Sequence, residues 1–225
     1  MGEGAAGMRR GVFVAWLGAI MGTVLLQSAA HLEVVLGTGN VGSIVDLDRS
    51  NGLPDVVSTA SLAASAAAAM LLASLETGRR RAVAAALVLS LTGLMVADAV
   101  HDGPHPASTV GWFVIAMVVA TGVLLLSIGT TSGSRARVLL GVAGCMLVGS
   151  FCVNALDQVD AQRFERERGD PIAEYQIVAK EGLELLGWSL VALALWDEAL
   201  RRRGTTSTAT APASRARAAS RRRAA

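Results

Sequence analysis

Acidic residues and histidines lie at the ends of the apolar segments, with a spacing that could build an ion-binding cluster. Glu181 and Glu184 are three residues apart in the last apolar segment, so a helix places them on one face, with Glu174 and Lys180 in the same arc. Carboxylates and imidazoles on facing helices build metal centres in bundles and proton relays in membranes. Similar polar positions near the ends of other segments are Asp98, His101 and Asp102 in the third, Asp157 in the fifth and His31 in the first.

This pattern predicts a divalent metal site, because mixed oxygen and nitrogen ligands suit Mn, Fe or Zn. Two other interpretations stay open: the residues could form a proton relay, or each could be an ordinary interfacial side chain, with Lys180 and Glu184 neutralising each other at i,i+4. The predicted metal ligands are Asp98, His101, Asp102, Glu181 and Glu184, and the additional candidates are His31, Asp157, Glu174 and Lys180.

Composition indicates a polytopic membrane protein. Hydrophobic residues make up 52% of the chain and charged residues 17%, and the mean hydropathy is +0.50. A membrane-spanning helix needs about 20 apolar residues, and six segments approach that length. We predict an all-α membrane bundle with six spans, at Gly11–Ala30, Val56–Leu75, Ala82–Val100, Thr109–Ile128, Val138–Leu156 and Ile177–Trp196.

The sixth segment, within Asp170–Arg203, is the one around which the others should be organised. It carries Lys180, Glu181 and Glu184 inside the predicted span, and a charge at a helix centre costs about 2.5–3.5 kcal/mol on insertion scales. Such residues need partners on neighbouring helices. Cys145 and Cys152 are seven residues apart in one segment, too far to form a disulfide, and are expected to be core residues.

Charge distribution predicts the topology. With a cytoplasmic N-terminus, fifteen of the twenty Lys and Arg residues lie on the cytoplasmic side, as the positive-inside rule requires. Both termini are then cytoplasmic, in a bacterial inner membrane, and the polar cluster faces outward. Ser28-Ala29-Ala30 resembles a signal-peptide cleavage site, but the preceding apolar core is longer than the usual 7–15 residues.

The chain divides into a membrane domain, residues 1–203, and a basic tail. Gly204–Ala225 is rich in Ser, Thr, Ala and Arg and is expected to be disordered. Its arginines are expected to bind anionic lipids of the inner leaflet. No nucleic-acid partner is predicted; the expected partners are the bilayer and a second copy or another membrane subunit.

Two stretches resemble an uncharacterised family of bacterial polytopic inner-membrane proteins. The loop Asp46-Leu47-Asp48-Arg49-Ser50-Asn51-Gly52-Leu53-Pro54 is similar to that family's outer-loop motif L-D-R-E-x-N-L-P, and Lys180–Glu184 is similar to its late E-E-x-x-E helix. Here Ser50 stands where the family has Glu, and Lys180 replaces an acid. The resemblance covers all six segments and implies an inner-membrane location without a settled activity.

Three functional hypotheses follow. The first is a membrane-embedded ion-binding protein, whose site opens to the outside. The second is a proton- or cation-coupled transporter, which would need polar residues through the inner half that the second and fourth segments lack. The third is a non-catalytic accessory subunit. There is no H-E-x-x-H, P-loop, G-x-S-x-G or dinucleotide motif, so the sequence leaves enzymatic activity undecided.

Overall fold

The structure is a computed structural model of the chain. It describes residues 8, 10–33, 37, 53–101, 106–164 and 171–223. Within these helices the backbone alone is described for residues 53–55, 98–101, 106–111, 113, 154–164, 173 and 206–223.

The described residues form helices and short turns and contain no strand, which confirms the all-α prediction. Four stretches are long and apolar enough to cross a membrane: Arg10–Leu32, Val56–Leu75, Gly78–Ala97 and Ser134–Val153. A shorter apolar stretch is Val114–Thr130. The six-span count stays a prediction. The helices are α1 Arg10–Leu32, α2 Leu53–Leu75, α3 Gly78–His101, α4 Pro106–Thr130, α5 Ser134–Phe164 and α6 Pro171–Arg223.

Helix α6 lies at the centre of the bundle. It packs against α1, α2 and α5, while α3 packs against α2 and α4, and α4 packs against α5. Every residue from Leu185 to Leu195 is buried, so this stretch is surrounded by protein and not by lipid. Burial inside the bundle allows α6 to keep charged residues that a lipid-facing helix would not tolerate.

Small residues let α5 and α6 approach closely. A Cβ added at Gly187 of α6 would lie 2.8 Å from Cδ2 of Leu147 on α5. The neighbouring Ala143 is fully buried. Close backbone approach through small residues is the usual way in which membrane helices gain packing energy.

Contacts between helix ends fix the direction of the helices. His31, near the end of α1, contacts Glu174, near the start of α6. Met8, just before α1, contacts Asp197, further along α6. Helices α1 and α6 are therefore antiparallel, and the bundle has two polar ends. We call the end with His31 and Glu174 the predicted outer end, and the end with Met8 and Asp197 the predicted inner end.

Two expectations differ from the structure. Cys145 and Cys152 are exposed on α5, so the prediction that they are core residues is wrong; α6 covers the face of α5 that carries Ala143 and Leu147, and the cysteines lie on other faces. Residues 204–223, expected to be disordered, continue α6 as helix, and their Ala and Arg residues are strong helix formers. The division into a membrane domain and a tail stays a prediction.

Candidate functional site

The predicted outer end contains a buried histidine–carboxylate pair that joins α1 to α6. The Nε2 atom of His31 lies 3.0 Å from Oε2 of Glu174. Both side chains are 0% exposed. Glu174 lies in the first turn of α6, where the helix dipole favours an acidic residue, and His31 lies in the last turn of α1, where it favours a cation. The contact therefore joins the end of α1 to the start of α6.

Gln27 extends this polar contact by one turn toward the middle of the bundle. It precedes His31 by four residues, so both lie on the face of α1 that packs against α6, and it is only 3% exposed. Neither its amide nitrogen nor its amide oxygen has a hydrogen-bond partner among the described residues. A buried amide without partners costs about 1–3 kcal/mol, so Gln27 is an under-satisfied group beside the pair.

The charged stripe of α6 lies further along the same helix. Lys180 Nζ is 2.9 Å from Oε1 of Glu181, and both side chains are partly exposed. The contact joins sequence neighbours, whereas the sequence suggested that Lys180 would neutralise Glu184. Glu184 is half-buried. Glu181 is therefore ion-paired within its own helix, and its role as a metal ligand stays a prediction.

The predicted metal site is only partly covered by the structure. Asp98 and His101 belong to the end of α3, but their side chains lie outside the described residues, as do all of Asp102 and the side chain of Asp157. Within the described part of the chain, no three His, Cys, Asp or Glu residues come close enough to hold a metal ion. The structure thus brings together His31 and Glu174, which the sequence ranked as additional candidates, and the metal site stays a prediction.

A second polar cluster, not predicted as a site, lies at the predicted inner end around Glu198. This side chain is 3% exposed. Its carboxylate accepts hydrogen bonds from the backbone N–H groups of Ser132 and Gly133 at the start of α5, at 3.2 and 3.0 Å. The Ser132 hydroxyl donates a third at 2.9 Å. An anion at a helix N-terminus is stabilised by the free N–H groups and the helix dipole.

Two arginines complete the environment of Glu198. Arg201 Nη2 and Arg202 Nε lie 2.6 and 2.9 Å from its Oε1 atom. Arg202 Nε also lies 2.9 Å from Oε1 of Glu76, just beyond the end of α2. Burial by itself raises the pKa of the Glu198 carboxyl, but hydrogen bonds from Arg201, Ser132 and Arg202 outweigh it and lower this pKa to about 2. Glu198, just after the predicted span, is therefore a fixed anion.

Asp197, next to Glu198, binds the backbone just before the start of α1. Its Oδ1 atom accepts the backbone N–H of Met8 at 2.8 Å and lies 3.7 Å from Nη1 of Arg135. Arg135 also donates to the Met8 carbonyl and lies 4.7 Å from the ring centroid of Phe13. Two consecutive acids of α6 therefore bind the starts of two different helices, α1 and α5.

A sequence signal for the inner cluster does exist. Glu198 precedes Arg201 by three residues and Arg202 by four, which is the spacing of helical ion pairs. An acidic pair that follows an apolar run is usually an interfacial feature. What the sequence did not reveal is that the turn between α4 and α5 would bring its N–H groups to this carboxylate.

Comparison with known proteins adds no assignment. No family model, no curated protein and no solved structure matches this chain. The two polar ends of the bundle are therefore the features that point to a function.

Proposed function

We propose that this is a multi-pass protein of the bacterial inner membrane, with six spans and both termini cytoplasmic, that binds an ion in its outer half. The observation that carries this proposal is the His31–Glu174 pair. A fully buried carboxylate and imidazole 3.0 Å apart form the smallest arrangement that can hold a proton between two groups inside a membrane protein. The four apolar helices support the membrane location.

A proton is the ion that the described contact can hold by itself. A zinc or similar transition-metal site takes three or four ligands, and the described residues offer two here. In addition, the Nε2 atom of His31 faces the carboxylate of Glu174, so that nitrogen would have to leave this contact to bind a metal. A metal site would need ligands from Asp98, His101 or Asp102.

A transport function is less well supported. Between Leu185 and Leu195 the buried residues of α6 are apolar except for Ser189 and the indole N–H of Trp188. Ser189 is hydrogen-bonded to Ser61 of α2 at 3.0 Å. The described residues therefore offer no continuous row of titratable groups from the predicted outer end to Glu198. This favours a site that exchanges its ion with one side of the membrane.

The test uses a variant with a single histidine. The chain has three histidines, so replacing His101 and His105 with Gln leaves His31 as the only imidazole for ¹⁵N NMR in detergent micelles. We expect its signals to show a proton held in the contact with Glu174 while the helices stay folded, and Glu174→Gln to change those signals. Glu33→Gln, at an exposed position two residues after His31, is the matched control and should leave them unchanged.

Elemental analysis of the purified wild-type protein completes the test. The proposal expects no stoichiometric transition metal in protein that retains its fold. The protein could instead contain bound Mn, Fe or Zn, and the variants His101→Ala and Glu181→Gln could each lose that metal. This result would support the metal site predicted from the sequence and not the proton site. Imidazole signals of His31 that do not respond to Glu174→Gln would contradict the proton site.

A further inference from the structure

Three consecutive arginines, Arg79, Arg80 and Arg81, lie in the first turn of α3, and all three side chains are exposed. This turn contains no acidic residue. The helix dipole makes the first turn of a helix an unfavourable place for a cation. The three arginines therefore do not stabilise the start of α3 through its dipole, and the reason for them lies outside this helix.

One of the three arginines has an acidic partner in the protein. The Nη1 atom of Arg80 lies 3.9 Å from Oε2 of Glu76, and Arg80 lines a small cavity together with Glu76 and Glu198. The same cavity places the start of α3 at the predicted inner end of the bundle. Other arginines of this end also face acids, namely Arg135, Arg201 and Arg202. The charge of Arg80 is therefore balanced within the protein.

Arg79 and Arg81 differ from Arg80 in this respect. Neither forms an ion pair or a side-chain hydrogen bond with any residue that the structure describes. The nearest acid along the chain, Glu76, already faces Arg80 at 3.9 Å and Arg202 at 2.9 Å. Two exposed guanidinium groups within one helical turn are thus not balanced by any described acid.

The helical period places these two arginines on either side of the face of α3 that points away from the bundle. Leu89 is 75% exposed and marks this face. At about 100° per residue, Arg79, ten residues earlier, and Arg81, eight residues earlier, each lie about 80° from Leu89, in opposite directions. Arg80 lies about 180° from Leu89, on the side of the buried Leu87. The geometry therefore separates an inward Arg80 from two arginines that flank the outward face.

A partner of Arg79 and Arg81 would meet an apolar surface next to the two charges. Leu89 and Val96 are exposed further along the same face, and Gly78–Ala97 is long and apolar enough to cross a membrane. A soluble acidic protein or a nucleic acid could contact the guanidinium groups but not this apolar face. An anionic phospholipid can contact both, because its phosphate lies at the membrane border and its acyl chains lie beside the helix.

Guanidinium groups suit this ligand, because their planar fork can donate two parallel hydrogen bonds to phosphate oxygens. We propose that Arg79 and Arg81 bind the phosphate of an anionic phospholipid in the leaflet at the predicted inner end, with its acyl chains along Leu89 and Val96. This site is distinct from the basic tail, whose arginines begin at Arg215.

The experiment uses the full-length protein in neutral detergent micelles and a phosphatidylglycerol with a diazirine near the glycerol end of one acyl chain. After irradiation, mass spectrometry locates the labelled residues. We expect saturable labelling of α3 between residues 82 and 89. Unlabelled phosphatidylglycerol should compete about tenfold better than phosphatidylcholine with the same acyl chains, because only phosphatidylglycerol carries a net negative charge.

Three variants of the arginine run locate the interaction. Arg79→Gln and Arg81→Gln should each weaken competition by phosphatidylglycerol about fivefold. Arg80→Gln is the matched control, since it removes the same charge from the same turn. It should change the competition less than twofold, because Arg80 faces Glu76. Far-UV circular dichroism should show the same helix content in all three variants, because the side chains are exposed.

The lipid comparison on the wild-type protein decides the proposal independently of the variants. Equal competition by phosphatidylglycerol and phosphatidylcholine would overturn it. Equal losses in all three arginine variants would also overturn it, because they would show a diffuse surface charge and not a site. Competition by soluble glycerol 3-phosphate as strong as that by the lipid would assign the two arginines to a soluble phosphate ester. The inference does not depend on proton binding, since His31 lies at the opposite end of the bundle.

Discussion

The two polar ends of the bundle are built in opposite ways. At the predicted inner end, the Glu198 carboxylate receives two backbone N–H groups, a serine hydroxyl and two arginines. At the predicted outer end, His31 and Glu174 contact each other across the interface of α1 and α6, and the amide of Gln27 beside them has no partner in the described part of the chain. Both ends are buried, and at the inner end five donor groups surround a single carboxylate.

This difference indicates which end contributes to stability. A buried carboxylate that is surrounded by donors stays ionised, and it fixes the positions of the helices that supply those donors. A buried ion pair often adds little net stability, because its desolvation penalty offsets its attraction. A pair of that kind in a membrane bundle is better explained by function. We therefore interpret the inner cluster as the anchor of the fold and the outer pair as the ion site.

The largest effect on stability is expected from removing the charge of Glu198 at the predicted inner end. Glu198→Gln should lower the free energy of unfolding by on the order of 3 kcal/mol, because Arg201 and Arg202 lose their shared counter-charge and the start of α5 keeps only one of its two acceptor oxygens. SDS-induced unfolding in mixed micelles, followed by tryptophan fluorescence, measures it. The exposed Glu33→Gln is the control. A loss below about 0.5 kcal/mol would show that the cluster does not anchor the fold.

The same carboxylate predicts a pH dependence of stability. Its pKa is about 2 in the folded protein against 4.5 as the ordinary value, so the folded state holds the proton less tightly than the unfolded state. The stabilisation is complete above about pH 4.5 and is lost as the pH falls from 4.5 toward 2.

The difference in unfolding free energy between wild type and Glu198→Gln isolates this contribution from the other acids. It should be constant from pH 7 to 5 and shrink below pH 4.5. A difference that is the same at pH 3 and pH 7 would contradict the anionic state of Glu198.

The sequence predicts part of this arrangement of helices and polar residues. Hydropathy predicts the apolar segments, which form helices. The cost of inserting charged residues into a membrane predicts that the sixth segment, which carries charges, must be buried, and α6 is buried. The face shared by Thr23, Gln27 and His31 in α1 also follows, from the 100° helical period. The sequence therefore identified His31 and Glu174 as candidates.

Their pairing could not be predicted, because it depends on which acid of α6 faces α1. Glu174, Glu181 and Glu184 share one broad arc, and the sequence favoured the last two. The packing of α1 across Gly182, where Ser28 and Val24 lie near the glycine, brings Glu174 and not Glu181 to His31. The exposed cysteines were missed for a similar reason, since an apolar helix in a membrane has no polar face to mark its outside.

The packed contact between α5 and α6 lies between the two polar ends of the bundle. A change in this contact should have a smaller effect on the free energy of unfolding. Gly187→Ala should destabilise by about 1–3 kcal/mol, because its Cβ would lie 2.8 Å from Cδ2 of Leu147 and this buried side chain would have to repack. Gly182→Ala is the matched control on the same helix: its Cβ would meet Ser28 and Val24 at 3.8 Å, an ordinary contact. Equal tolerance of both changes would refute close packing at Gly187.

A still smaller effect on the free energy of unfolding is expected at Asp197, the neighbour of Glu198. Asp197→Asn keeps an acceptor for the Met8 N–H but removes the charge that faces Arg135 at 3.7 Å. Because Arg135 is largely exposed, the loss should be about 0.5–1 kcal/mol. Hydrogen exchange at the first turn of α1 should rise in this variant, while the start of α5 should keep its protection. Faster exchange at α5 alone would reverse the assignment of the two acids to their helices.

The most direct test of the central claim replaces both members of the outer pair at once. The double variant His31→Leu, Glu174→Met keeps similar volumes and removes the polar groups together, and SDS-induced unfolding gives its stability. Because replacing a buried ion pair by apolar residues of similar volume is often neutral or stabilising, the account predicts a free energy of unfolding equal to or above that of wild type. A loss of about 3 kcal/mol, comparable to that of Glu198→Gln, would show that the outer pair anchors the fold and would contradict its assignment as the ion site.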